Sequence, residues 1–192
     1  KPERPAHDPE TPQPAPSNSP EPPAGSAQAS ALTAGGVDAS SAPLAIGASA
    51  HIGDARVRVV DVSLGGVKVQ RPGSAEIVDL SIERLLVVIE VAHTGKTGKF
   101  EYQTLRGNSG VTLRDDLGRN IRQRPPGLGT PIVGTVESAS LRSGEAITDL
   151  LIFARPEPDA STLTLTLPFS AFETDASLLF GFEAPHAVAD PR

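Results

Sequence analysis

Cysteine is absent from the 192 residues, and so are methionine and tryptophan. Without cysteine there are no disulfides, thiolate metal sites, iron–sulfur clusters or cysteine nucleophiles, and no clue to redox compartment. Aromatic residues are few, six Phe and one Tyr, so no interleaved stacking platform for single-stranded nucleic acid is present. No apolar run approaches the ~18 residues a membrane-spanning helix needs. The formal net charge is −6, from 17 Lys+Arg against 23 Asp+Glu. That mildly acidic balance argues against a broad nucleic-acid surface. The chain opens at Lys1 and holds no Met, as expected of a processed or trimmed product with something ahead of Lys1.

Proline (19) and glycine (18) are abundant, and their placement divides the chain. Residues 1–43 hold ten of the prolines, no aromatic residue, and only Leu32 and Val37 as large aliphatics. Such a segment cannot bury enough apolar surface to offset the entropy of ordering it, so a disordered Pro/Ala/Ser-rich linker or stalk is expected. Lys1 to Pro23 should be extended and fairly stiff, and Ala24 to Ala42 more flexible. A spacer that holds a domain away from an anchor is the simplest role. A Pro-rich ligand is the sharper alternative, but no basic residue adjoins Pro12-Gln13-Pro14-Ala15-Pro16 to orient it.

From Pro43 onward the chain reads as β. Arg56 and Arg58 alternate with Val57 and Val59, and the phase slips at Val60, as at a bulge. Gly65-Gly66 reads as a turn before a short Val67-Lys68-Val69 strand, and Arg71-Pro72-Gly73-Ser74 as another turn. The nearly continuous apolar run Leu85 to Val91 predicts a central strand. Half-buried strands are expected over 99–105 and 110–114, with a tight turn at Asp115-Asp116-Leu117-Gly118. Ile147 to Phe153 reads as a second buried strand, 162–167 as strict period two with Leu inward, and 178–182 as the last strand. Only Ser170 to Ser177 offers a helical turn. The 123–146 stretch, rich in Pro and Gly, reads as a long loop. About nine short strands with this punctuation predict an all-β antiparallel sandwich over 44–184, with 185–192 as a C-terminal tail.

The order of several segments resembles a family of bacterial secreted domains of unknown function. These are telokin-like, immunoglobulin-like sandwiches found in extracellular lipoproteins and membrane-anchored proteins. The resemblance is carried by Ile46-Gly47 and Ile52-Gly53-Asp54 before the Val57/Val59 strand, and by Leu86-Val87-Val88-Ile89. Thr112 to Gly118, Ser143-Gly144-Glu145, Asp149 to Phe153 with Pro156, and Phe180 with Phe182 complete it. His93-Thr94-Gly95 stands where the family often has Asn, and the family's Cys-based disulfides or anchors have no counterpart here. The resemblance implies an immunoglobulin-like fold outside the cytoplasm and brings no catalytic residues.

Motifs of chemistry are weak. Gly95-Lys96-Thr97 lacks the phosphate-loop glycine five residues earlier, where Glu90 stands, and leads into a strand, so a hairpin turn explains it better. Gly107-Asn108-Ser109-Gly110 has its second glycine one residue too soon for a nucleophile elbow, so a hydrolase is the lesser reading. His7, His51, His93 and His186 show no metal-binding spacing. Asp115, Asp116 and Asn120 form a weak calcium candidate, against a plain Asp-rich turn. Arg114, Arg119, Arg122 and Arg124 place four guanidinium groups in eleven residues, a candidate patch for an anionic ligand, although Arg outnumbers Lys 13 to 4 throughout.

The expectation is a non-enzymatic interaction module or stalked ectodomain, extracytoplasmic (periplasmic or cell-surface). No cofactor is expected. The partner would be a protein or a cell-envelope component, not nucleic acid, with the membrane reached only through an anchor upstream of Lys1. A structural component of a cell-surface assembly is the alternative.

Overall fold

A computed structural model describes residues 42–107, 110–125, 131–168 and 177–186. Residues 1–41 of the linker, the helical turn expected over 170–177 except for Ser177, Asn108-Ser109, and residues 187–192 of the C-terminal tail lie outside that description. The described residues form ten strands and no helix. They are β1 (Ser49–Ile52), β2 (Ala55–Gln70), β3 (Ile77–His93), β4 (Lys99–Gln103) and β5 (Thr112–Asp115). Then follow β6 (Asn120–Ile121), β7 (Ser138–Arg142), β8 (Ala146–Phe153), β9 (Thr162–Pro168) and β10 (Ser177–Glu183).

All the strand pairings are antiparallel. One sheet has the order β1-β2-β3-β8, a second β10-β9-β5-β6, and a two-stranded sheet joins β4 to β7. Period-two alternation sets which side chains face inward. The first sheet contributes Val57, Val59, Leu85, Val87, Ile89, Leu151 and Phe153 to the core, and the second answers with Leu113, Leu163, Leu165, Leu167 and Phe180. The Thr-Leu alternation of β9 is therefore used as its period demands, with Leu buried and Thr outside.

Two expectations need correction. Gly65-Gly66 is not a turn, because β2 runs on through it and pairs with β3 almost to their common tip. The register slips there instead, between Gly65 and Val67, opposite the three residues Ser81 to Glu83. Gly66 is needed for room rather than turning, since a Cβ at that position would lie 2.0 Å from Asp79 Oδ1. The slip expected at Val60 is also present, between Val59 and Asp61. Second, the 123–146 stretch is not one loop. Arg124 N donates to Ile152 O and Ala154 N to Arg122 O, so 122–124 lies along the free edge of β8. Gln70 N donates to Pro131 O and Val133 N to Lys68 O, so 131–133 lies along β2. Residues 138–142 are β7.

The β2–β3 arm thus carries a second small core, in which Val67 and Val69 meet Ile132 and Ile152. The two-stranded sheet is fastened differently. Tyr102 of β4, fully buried, donates its hydroxyl to Asp149 Oδ2 of β8 at 2.6 Å. Asp149 Oδ1 accepts from the amides of Val136 and Leu150, both at 2.9 Å. Burial raises the Asp149 carboxyl above the usual carboxylate range, with the three donors opposing that rise. Burial, together with the Asp149 charge, also raises the Tyr102 phenol above its ordinary value.

Tyr102→Phe leaves a buried carboxylate oxygen without its donor and should cost about 1–3 kcal/mol. Adding Asp149→Leu should recover part of that loss, because the orphaned group is then removed. Urea unfolding of Tyr102→Phe, Asp149→Leu and the double variant tests this, and strictly additive losses would show that the pair does not act as a unit.

Candidate functional site

The arginine-rich segment 114–124 is built on a change of sheet. β5 and β6 pair through Leu113↔Ile121 and Arg114↔Asn120 at the edge of the second sheet. Immediately after Ile121 the chain crosses to lie beside β8 at the edge of the first. Ile121 is buried, so the crossing is pinned from inside while Arg122 and Arg124 remain exposed.

The turn before β6 is organised by Asp115, whose side chain is 1 % exposed. Its Oδ1 accepts from the amides of Leu117 (3.1 Å) and Arg119 (2.8 Å), and its Oδ2 from Arg119 Nε (2.6 Å). Gly118, at φ +78°, supplies the left-handed residue the turn needs. Arg119 also donates from Nη2 and Nη1 to Asp159, at 2.7 and 3.2 Å. Asp116 Oδ1 accepts from Ser161 N, and Asn120 Oδ1 from Arg114 Nε.

These bonds separate the predicted site residues. Of the calcium candidates, both oxygens of Asp115 and the side-chain oxygen of Asn120 already accept from N–H groups, and Asp116 has one oxygen engaged by Ser161 N. A guanidinium also sits where a cation would have to approach. Among the described residues no group of three or more His, Asp or Glu could hold a metal ion. Arg119 is a structural clamp between Asp115 and Asp159, and Arg114 is bonded to Asn120. Arg122 and Arg124 have no carboxylate within ion-pair distance among the described residues. With Arg119, Arg155 and Glu157 they line an open depression of about 300 Å³. Arg122 also borders a neighbouring depression of about 340 Å³, with Val111, Leu113 and Gln123.

The histidines are dispersed. His51 lies on the outer face of β1, opposite Arg56. His93 is buried on the inner face of β3, with Nδ1 3.1 Å from Leu141 O. A carbonyl only accepts, so Nδ1 carries the proton. Gly95 leaves room for this ring, because a Cβ there would lie 2.6 Å from both His93 Nε2 and Asp54 Cγ. The two histidines face opposite sides of one sheet, and Ser109 lies outside the described residues.

Sequence reasoning passed over Asp149. Its signal was a carboxylate at an inward-facing position of the apolar strand Ile147 to Phe153, where only a partnered charge is stable.

No family model and no curated protein matches the chain. Among solved structures it is similar to the yjhA protein from Bacillus subtilis, at 16% identity and a TM-score of 0.46, covering 71% of this chain and 97% of that one. It is also similar to MPT63, a secreted protein from Mycobacterium tuberculosis, at 15% identity and a TM-score of 0.46, covering 73% and 98%. A third similar chain is ycdA from Bacillus subtilis subsp. subtilis str. 168, at 14% identity and a TM-score of 0.45, covering 71% of this chain but only 38% of that one.

The Arg119 clamp predicts an acid dependence. Hydrogen bonds from Arg119 hold Asp159 below the usual carboxylate value of 3.8. Burial alone would raise Asp115, but the Arg119 side chain and the turn amides more than offset it and hold it low as well. A depressed carboxyl contributes stability that is present above its unfolded pKa and is lost as pH falls through the folded value. In Arg119→Gln that contribution should shrink, so the variant melts lower than the parent at neutral pH and the two converge in strong acid. Thermal unfolding from about pH 2 to pH 7 reads this, and parallel curves would remove the clamp.

Proposed function

We propose that the chain is a non-enzymatic, extracytoplasmic interaction module of the immunoglobulin-like sandwich type, borne on a Pro-rich stalk. Its binding face is the depression where the chain changes sheets. The observation that carries this reading is the contrast within one cluster. Arg119 is held by two carboxylates, whereas Arg122 and Arg124, three and five residues on, are exposed and carry no acidic partner among the described residues. Two unsaturated forks on a rigid sheet edge are suited to carboxylate or phosphate groups of a protein or cell-envelope partner. The stalk composition supports the extracytoplasmic part, since a stiff spacer is useful when its far end is held.

The edge of β3 supports a second reading, a structural component of a surface assembly. β8 ends opposite Leu85, so Ile77 to Arg84 has no strand on its outer side among the described residues. Ile77 and Ile82 are each 57% exposed along it. An open edge of this kind favours self-association, which light scattering would detect as higher-order species.

Protease added to intact source cells should digest the chain, and a protected chain would overturn the extracytoplasmic reading. The double variant Arg122→Glu/Arg124→Glu should lose about tenfold or more in retention on isolated envelopes while keeping the parent's melting temperature. Unchanged retention would overturn the assignment of the face.

A further inference from the structure

A second cationic cluster lies on the outer face of the first sheet. Strand register aligns Ser49, Arg58, Glu90 and Thr148 in one row. The next row holds His51, Arg56, Ala92 and Ala146. Directly opposite residues of antiparallel strands share a face, with Cβ atoms about 5 Å apart. His51, Arg56 and Arg58 are therefore gathered on one surface, beside the short side chains of Ala92 and Ala146.

One carboxylate serves both guanidinium groups. Arg56 Nη2 donates to Glu90 Oε1 at 3.2 Å and Arg58 Nη2 to Glu90 Oε2 at 2.8 Å. Each arginine thus spends one of its five donors on Glu90, by a single end contact rather than a fork. The Nε atoms of both are buried and have no acceptor. Asp61, opposite Val88 on the same face, is engaged by Ser63 Oγ at 3.2 Å. The side chains of Arg56 and Arg58 are each 39% exposed, so both are open to a ligand from solvent. Two like charges held side by side, each with donors to spare, cost the fold free energy that a bound anion would return.

We propose that Arg56 and Arg58, with His51 at their side, form an oxyanion site that takes a phosphate group. The site is distinct from Arg122 and Arg124. Both guanidinium groups project from β2, which is paired on both sides at these residues, and this holds them more rigidly than a loop would. The tetrahedral oxyanion accepts from the free Nη donors of both arginines, and Glu90 is the internal competitor for the same donors.

The test is titration of the full chain with inorganic phosphate, followed by ¹H–¹⁵N NMR. Saturable shifts are expected at the amides of β1, β2 and β3 that carry these rows. Arg58→Gln should weaken binding about tenfold. Glu90→Gln should tighten it several-fold, an effect that a merely structural ion pair would not produce. Arg122→Glu/Arg124→Glu should leave it unchanged, so this site and the proposed partner face fail or stand separately. Retention on phosphatidylglycerol but not phosphatidylcholine vesicles, lost in Arg58→Gln, would assign the phosphate to a lipid headgroup. Response to inorganic phosphate alone would assign it to a soluble ligand. Absence of both responses, or equal binding by the parent, Arg58→Gln and Glu90→Gln, would overturn the site.

Discussion

The buried carboxylate of Asp149 is the constraint on which the joining of the sheets depends. It occupies an inward-facing position of β8, on the side that Leu151 and Phe153 give to the core. A charge placed there is stable only if its oxygens are filled. They are filled from three directions: by the Tyr102 hydroxyl on β4, the Val136 amide ahead of β7, and the Leu150 amide on β8 itself. An apolar residue would pack in the same place without specifying which strand end lies over it. The carboxylate does specify it, because only one arrangement brings three donors together. Arg106, joined to Glu137 across the same end, adds a favourable charge nearby.

The first sheet is organised around β3, which is paired on both sides along its second half and on one side along its first. Where β8 supports it, β3 supplies Leu85, Val87, Ile89 and Val91 to the main core. Beyond that support the β2–β3 arm would be a two-stranded ribbon, which is marginal alone in water. Two devices compensate. The 131–133 segment adds a third row along β2 and brings Ile132 onto Val67 and Val69. The register slip opposite Ser81 to Glu83 interrupts the open edge, and Glu83 is tied to Arg155. A bulge and a charge on an exposed edge are the usual defences against indiscriminate pairing.

The legible parts of the sequence were those where one local signal governs the outcome. The all-β antiparallel class, the buried run in β3, the alternation of β9, the slip at Val60 and the left-handed Gly118 all follow from period or backbone sterics within a few residues. The parts that were not legible depend on distant partners. Gly65-Gly66 has the composition of a turn, yet β3 returns alongside it and the close approach of Asp79 uses the missing side chain of Gly66 for space. The 123–146 stretch lacks apolar periodicity because two of its pieces are short edge additions, each held by two backbone hydrogen bonds, with Ile132 the buried side chain of the second. The arginine cluster was visible as composition. Its division into a clamp and an exposed pair was not, because Asp159, which completes the clamp, is 40 residues from Arg119.

That division also bears on how such a domain can acquire binding without losing its fold. The crossing between sheets needs a fixed turn before it, and Asp115 and Arg119 provide that turn from their own side chains and amides. It needs a buried anchor, which Ile121 provides, and backbone partners after it, which Ile152 and Ala154 provide. None of these requirements constrains the side chains of Arg122 and Arg124, whose backbone alone is used. Residues whose main chain is fixed and whose side chains are uncommitted form a rigid platform for recognition, because the entropy of ordering the backbone has already been met by folding. The outer face of β2 follows the same logic. Val57 and Val59 hold the strand in the core, and the alternate positions Arg56 and Arg58 are left to the surface at no cost to the packing beneath.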